Sequence, residues 1–295
     1  MNNPDDPGTI ALANPSPVIE TPQAPKPLLD PNNPPWGVLA AVLTWMSSVL
    51  LLFIVPQLCA LPYIASHYRG MGPTRDALLS DKTLILILLI GILPAHVITL
   101  LIAGAVVTRL GKISPTKILG LNWKNHAEVW TSVALAIALF GITAVVLWKF
   151  GGQDTDLERI LRSSRGAALT MAFMASVTAP LVEEVIYRGL LYSALQRLTG
   201  PVLGVMIVTF MFAGLHVLQY WPNFGAISAI SLLSLALTIV RARTGRLLPC
   251  YIIHLVFNGI QSVLIVVEPY LPYFFKTEPR QTVTSIVHAI IIHTF

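Results

Sequence analysis

Two adjacent glutamates, Glu183 and Glu184, lie in the segment APLVEEVIYRG, inside a long apolar stretch of the sequence. A charged side chain at the centre of a membrane costs at least about 2.5–3.5 kcal/mol, so charges in such surroundings indicate a function. Glu184 and Arg188 are four residues apart, so on a helix they share a face and can neutralise each other. Glu183 lies about 100° round the helix from Glu184, which leaves its carboxylate free for chemistry. A buried structural ion pair is the simpler alternative.

Two later apolar stretches carry further polar side chains. The segment FMFAGLHVLQY places Phe212 and His216 one helical turn apart, and YIIHLVFNG places His254 and Asn258 at the same spacing. A single histidine in an apolar helix is most simply a hydrogen-bonded packing residue. Three helices that each carry a catalytic residue type instead favour one shared polar site.

A carboxylate, two imidazoles and a carboxamide around one pocket suit hydrolysis. A glutamate can take a proton from water, and a histidine can help to hold that water. A second histidine and an asparagine can donate hydrogen bonds to the oxyanion formed at an attacked carbonyl. The same glutamate and histidine types can instead bind zinc, so both versions stay open. The chain has no HExxH motif and no GxSxG motif, which argues against a zincin helix and a serine protease.

The composition predicts that these motifs lie in a membrane domain. The 295 residues are 55% hydrophobic and only 11% charged, with a mean hydropathy of +0.71, whereas soluble domains carry about 25% charged residues. Membrane-crossing stretches must be helices, because lipid offers no partner to unpaired backbone groups. The predicted spans are 36–57, 83–107, 130–149, 167–196, 201–218, 224–241 and 248–267. The fold class is therefore an all-α, polytopic bundle of transmembrane helices, with seven to eight spans because residues 282–295 are left open.

Residues 1–35 hold ten of the 22 prolines and are predicted to form a disordered tail ahead of a helical membrane domain at 36–295. No cleavable signal peptide is expected in this tail.

The net charge of +5 comes from basic residues concentrated in loops such as 109–124, where anionic lipid headgroups are the expected partner and nucleic acid is not. The Lys and Arg counts of successive loops tie, so orientation stays open. Cys59 and Cys250 are far apart and are expected to be small buried apolar residues.

The span boundaries allow the motifs to meet. If the fourth span ends near residue 198, Glu183 and His216 both lie roughly 22 Å from that membrane face. His254 and Asn258 then lie roughly 12 and 18 Å deep, and ordinary tilt covers the difference. Pro180 suggests a helix break, with Ser176 and Thr178 as candidate caps that would put the glutamates in a first turn.

The order EExxxR, FxxxH and HxxxN resembles the CPBP family of intramembrane proteases, which includes the Rce-type CAAX prenyl endopeptidases and bacteriocin-processing relatives. The resemblance covers about residues 165–265 and extends to the proline before the glutamates and to RTGRLLPCYIIH before the last motif. It implies a membrane endopeptidase and an integral, multi-pass protein, which we expect in a bacterial cell membrane.

Carried over to this chain, the resemblance makes Glu183 the general base and His216 its partner on the attacking water. His254 and Asn258 become the oxyanion donors, while Glu184 and Arg188 are supporting residues. Family members are usually described as metalloproteases; if zinc is bound here, Glu183, His216 and His254 are its expected ligands.

Three matters stay open in this reading. The substrate is a peptide or protein cut at or in the membrane, and one branch of the family acts on prenylated C-termini. Some members are proposed to be scaffolds, so a non-catalytic scaffold or immunity-type protein is the first alternative. A proton-coupled transporter with a Glu183–His216 relay is the second, although no repeated halves are evident.

Overall fold

A computed structural model describes residues 30–69, 72, 74–150, 164–267 and 270 of the chain. The described residues form helices, turns and loops, with no strand among them. The helices are α1 (Val38–His67), α2 (Arg75–Ser80), α3 (Lys82–Ile90), α4 (Ile92–Val107), α5 (Pro115–Leu119), α6 (His126–Phe150), α7 (Arg165–Thr199), α8 (Pro201–Tyr220), α9 (Phe224–Thr244) and α10 (Leu247–Val267).

Seven helical segments among the described residues are long and apolar enough to cross a membrane, with α3 and α4 forming one of them. This confirms the all-α, polytopic fold class and each of the seven predicted spans. The first span differs most, because α1 continues to His67 and carries Pro56 and Pro62 inside it. Proline is tolerated in such helices when neighbouring groups satisfy the freed backbone carbonyls. The segment 282–295 lies outside the described residues.

α7 carries the glutamate motif and does not break at Pro180. It contains two π-helical segments, Met174–Thr178 and Glu184–Tyr192, joined by an α-helical turn. The predicted caps are wrong, since the hydroxyls of Ser176 and Thr178 donate back to the carbonyls of residues 172 and 174. The π turn lies directly before Pro180, whose missing N–H interrupts the α-helical hydrogen-bond pattern.

The second π segment of α7 lies at the centre of the bundle. All nine of its residues, Glu184–Tyr192, are buried, and the segment contacts α1, α4, α8, α9 and α10. Large side chains such as Leu190, Leu191 and Tyr192 are fully enclosed. Because burial on all sides fixes side-chain positions, this helix is a rigid base for the glutamates.

Residues 30–36, here called the N-terminal strap, lie against the membrane domain. The carbonyl of Pro34 accepts a hydrogen bond from Arg197, and the Trp36 indole donates to the carbonyl of Leu190 on α7. The predicted tail ran through residue 35, so its last six residues are instead attached to the helices. Residues 1–29 lie outside the described part of the chain.

The two cysteines differ in their surroundings. Cys250 is buried on α10, as predicted, and its thiol lies 3.4 Å from the carbonyl of Leu237. Cys59 is exposed on α1, so the prediction that it is buried is wrong: its position on the helix faces outward.

Candidate active site

Glu184 and Arg188 form a fully buried ion pair. Arg188 Nη1 lies 2.9 Å from Glu184 Oε1, and both side chains are 0% exposed. The guanidinium also donates to the hydroxyls of Thr238 (3.3 Å) and Ser234 (2.9 Å) on α9. Its carbon lies 4.8 Å from the centre of the Phe212 ring on α8, within cation–π distance. The pair therefore joins α7 to α8 and α9.

His254 connects the two glutamates. Its Nδ1 lies 2.8 Å from Glu184 Oε1, and its Nε2 lies 3.7 Å from Glu183 Oε2. A carboxylate paired with arginine only accepts hydrogen bonds, so the proton belongs on Nδ1. Glu184 thus sets the orientation of His254 as well as pairing with Arg188. The sequence predicted the Arg188 contact but not this one, which joins residues 70 positions apart.

Glu183 and His216 face the same cavity from α7 and α8. The Glu183 side chain is 26% exposed, in contrast to its fully buried neighbour. His216 Nδ1 lies 2.9 Å from the carbonyl of Phe212. Because a carbonyl only accepts, this bond places a proton on Nδ1 and leaves Nε2 of the neutral ring as an acceptor. Nε2 can then hold a water molecule through one of its hydrogens.

Asn258 is fixed by the first π segment of α7. Its Nδ2 donates to the carbonyl of Ala175 at 2.8 Å. An amide nitrogen carries two hydrogens, so the second N–H can serve another acceptor. Since Asn258 also lines the cavity, the side chain is suited to donate to a bound substrate.

One cavity of about 590 Å³ brings the predicted residues together. Glu183, His216, His254 and Asn258 all line it, while Glu184 and Arg188 lie behind its wall. The convergence predicted from span depths is therefore confirmed, and the different depths of the two histidines do not prevent it. Most of the remaining lining is apolar.

Sequence reasoning missed several polar residues of this cavity, which are Ser48, Gln219, Gln261 and a histidine at position 96. His96 on α4 lines it, is 6% exposed, and lies 3.0 Å through Nδ1 from the Thr178 hydroxyl. The only available signal was a lone histidine within the second predicted span, with no motif around it. Such a histidine on its own indicates packing, so only the structure reveals its position.

The three predicted zinc ligands, Glu183, His216 and His254, do not form a metal site in this structure. Among the residues described, no group of three or more His, Cys, Asp or Glu side chains is placed to hold a metal ion. Glu183 and His254 approach each other, but His216 does not complete a three-ligand set with them. The arrangement seen therefore does not fit the predicted zinc ligands, and no step proposed below passes through a metal.

The fold and the cavity define a multi-pass, all-helical membrane protein with a polar centre inside the bundle. Residues 165–260 match the sequence model of the Rce1-like family, the type II CAAX prenyl endopeptidases. Comparison with curated proteins and with solved structures found no match. The matched region begins with α7, includes all three motifs and supports an assignment to the CPBP/CAAX protease family. The matched family is one of membrane endopeptidases.

Proposed function

We propose that this protein hydrolyses a peptide bond within the membrane by attack of a water molecule that Glu183 activates. The observation that carries the proposal is the shared cavity, in which Glu183, His216, His254 and Asn258 meet. A partly exposed carboxylate beside two oriented imidazoles has the groups that hydrolysis needs.

In the first step, water lies between Glu183 and Nε2 of His216. Glu183 takes one proton while the water oxygen forms a bond to the substrate carbonyl carbon, and the carbonyl oxygen becomes an oxyanion. In the second step the C–N bond breaks, and the proton held by Glu183 passes to the departing amine. The products are a carboxylic acid and an amine, so atoms and charge balance.

We assign stabilisation of the oxyanion to His254 and Asn258. Since Nδ1–H of His254 donates to Glu184, a second donor at Nε2 requires the imidazolium form. Glu184 and Glu183 carry two negative charges, and Arg188 with a protonated His254 carries two positive charges. This cluster is neutral overall, which keeps the cost of burying its charges low. The free N–H of Asn258 supplies the second donor.

The apolar part of the lining favours a substrate with a large apolar portion. Leu52 and Phe53 of α1 and Leu215 of α8 are among these residues. A lipidated C-terminus of the CAAX type fits such a lining, so prenylated peptides belong in the test.

The test compares purified wild type with Glu183→Gln in liposomes, using quenched peptides with and without a farnesyl group. Asp76→Asn is the matched control, because it removes an exposed carboxylate on α2, far from the three motifs along the chain. We expect cleavage by wild type and by the control, and none by Glu183→Gln. Turnover by Glu183→Gln would rule out Glu183 as the base.

Further measurements distinguish the proposal from a metal-dependent mechanism, a scaffold and a transporter. A chelator is expected to leave cleavage unchanged, and loss of activity that zinc restores would establish a metal-dependent mechanism. A protein that binds a partner but cleaves no peptide, with a phenotype unaffected by Glu183→Ala, would indicate a scaffold. Solute uptake driven by a pH gradient would indicate a transporter.

A further inference from the structure

His96 is a buried polar side chain of the cavity that the proposed reaction does not use. It lies on α4, which packs beside α7, and 94% of it is shielded from solvent. Its Nδ1 contacts the Thr178 hydroxyl at 3.0 Å. Its Nε2 makes no hydrogen bond to any other residue in the described part of the chain, although the ring lines the cavity. Nε2 is not one of the fully enclosed atoms of the described residues that lack a partner, so it is open to the cavity and can bind a ligand there.

The hydrogen bonds of Thr178 determine which ligand group would suit His96. The Thr178 hydroxyl lies 3.0 Å from Nδ1 of His96 and 3.4 Å from the carbonyl of Met174. When its one hydrogen points to that carbonyl, the hydroxyl accepts a hydrogen bond from Nδ1. The proton of the neutral imidazole then lies on Nδ1, and Nε2 presents a lone pair to the cavity. The matching group on a ligand is a hydrogen-bond donor.

The distance of His96 from the proposed reaction centre follows from Thr178, its contact on α7. Thr178 is the fifth residue before Glu183, which places the two roughly 7.5 Å apart along the helix axis. An extended peptide advances about 3.3 Å per residue. A substrate whose scissile carbonyl lies at Glu183 therefore reaches His96 with a backbone group two residues away.

We propose that His96 is a substrate-binding residue, whose Nε2 accepts a hydrogen bond from a peptide N–H two residues from the scissile bond. This inference rests on the proposed function, since it takes a peptide as the ligand of the cavity. It assigns His96 to recognition of an extended backbone, which does not depend on the side-chain sequence of the substrate.

The main experiment measures binding without turnover. A labelled peptide is titrated onto Glu183→Gln and onto Glu183→Gln/His96→Phe in liposomes, and the Kd values are compared. Loss of one hydrogen bond predicts a roughly three- to tenfold weaker Kd for the double variant. His96→Gln retains an acceptor and should recover part of the affinity, whereas an unchanged Kd with His96→Phe would overturn the proposal.

Ester-substituted peptides identify the hydrogen bond itself. Replacing single backbone amides by esters removes one N–H at a time. At one position, two residues from the scissile bond, the ester should weaken binding to Glu183→Gln but have no added effect in the His96→Phe background. If every ester has the same effect in both backgrounds, His96 does not contact a backbone N–H.

Thr178→Val tests the tautomer of His96, and thermal unfolding of each variant tests a packing role. The change removes the acceptor of Nδ1–H, so the ring proton can move to Nε2 and the peptide affinity should fall. A fall in stability of His96→Phe with no change in affinity would assign His96 to packing alone. Failure of the proposed function would be seen separately, as absence of cleavage by wild type, because the Kd comparison does not require turnover.

Discussion

The two adjacent glutamates differ in burial and therefore in what their removal costs. Glu184 is fully enclosed and shares one oxygen between Arg188 and His254, whereas Glu183 is 26% exposed at the cavity. Removing one partner of a buried ion pair leaves the other charge uncompensated, which costs about 3–5 kcal/mol. The structure thus places a fully buried carboxylate next to one that reaches the cavity.

This difference gives a prediction for stability. Glu184→Ala should lower the free energy of unfolding by about 3–5 kcal/mol and reduce the yield of folded protein. Glu183→Ala should cost much less than this, because Glu183 is partly exposed and lies 3.7 Å from His254, although the change abolishes cleavage. Thermal unfolding in detergent, followed by size-exclusion profiles, measures both variants side by side. Equal stability of the two variants would contradict the assigned division of roles.

Asn258 gives a prediction for rate. If Asn258 donates to the oxyanion, Asn258→Ala should lower kcat by a factor on the order of 10²–10³. The variant also loses the bond to the carbonyl of Ala175, so thermal stability must be measured beside the rate. Ser262→Ala is a matched control, since Ser262 donates to the neighbouring carbonyl of Ala172 from the same helix. An unchanged kcat for Asn258→Ala would assign the side chain to packing between α7 and α10.

At the scale of elements, the N-terminal strap contacts a buried guanidinium, that of Arg241. Arg241 on α9 is 0% exposed, and its guanidinium donates to Asn32 Oδ1 (3.0 Å), to the carbonyl of Pro31 (2.8 Å) and to Ser193 (2.9 Å). Two of these three acceptors come from the strap. The strap therefore completes the burial of Arg241 beside the C-terminal end of α7.

Two changes distinguish the role of the strap from that of residues 1–29, which precede it. Deleting residues 1–29 should leave cleavage in place, because that segment carries no motif. Asn32→Ala removes an acceptor from a buried guanidinium and should cost about 1–3 kcal/mol of stability. Asn33→Ala is the control, since its side chain accepts only a 3.4 Å bond from Arg197. Loss of activity on deleting residues 1–29 would show that the tail contributes to folding or substrate capture.

At the scale of the whole molecule, the sequence predicted the features that carry a large free-energy cost. Seven spans were evident because apolar stretches of that length must cross as helices, and Glu183 was evident because charge in such a stretch is expensive. The π segments of α7 were not predicted. A change of the backbone hydrogen bonds from i→i+4 to i→i+5 does not alter the apolar pattern of the sequence. The bond between Glu184 and His254 and the place of His96 depend on how distant helices pack.

The helix order predicts which loops share a membrane face. The strap contacts Arg109 and Arg197, so the strap, the loop after α4 and the turn after α7 lie on one face. α1 then crosses to the other face, where α2 lies before α3 and α4 return. Single cysteines at Asn33 and Lys117 should therefore label from one side of the membrane, and a cysteine at Asp76 from the other.

The labelling is done in intact cells with a membrane-impermeant thiol reagent, on a Cys59→Ala background. The remaining Cys250 is buried and is expected not to react. A permeabilised sample gives the total label for each position, which separates an inaccessible face from an unreactive site.

Reaction of Asp76→Cys from the same side as Lys117→Cys would contradict the crossing of α1. If Asn33→Cys and Lys117→Cys react from opposite sides, the contact of the strap with Arg109 and Arg197 is wrong. Agreement of all three positions would also give the orientation, which the Lys and Arg counts leave undecided, because the side that the reagent reaches is the outer one.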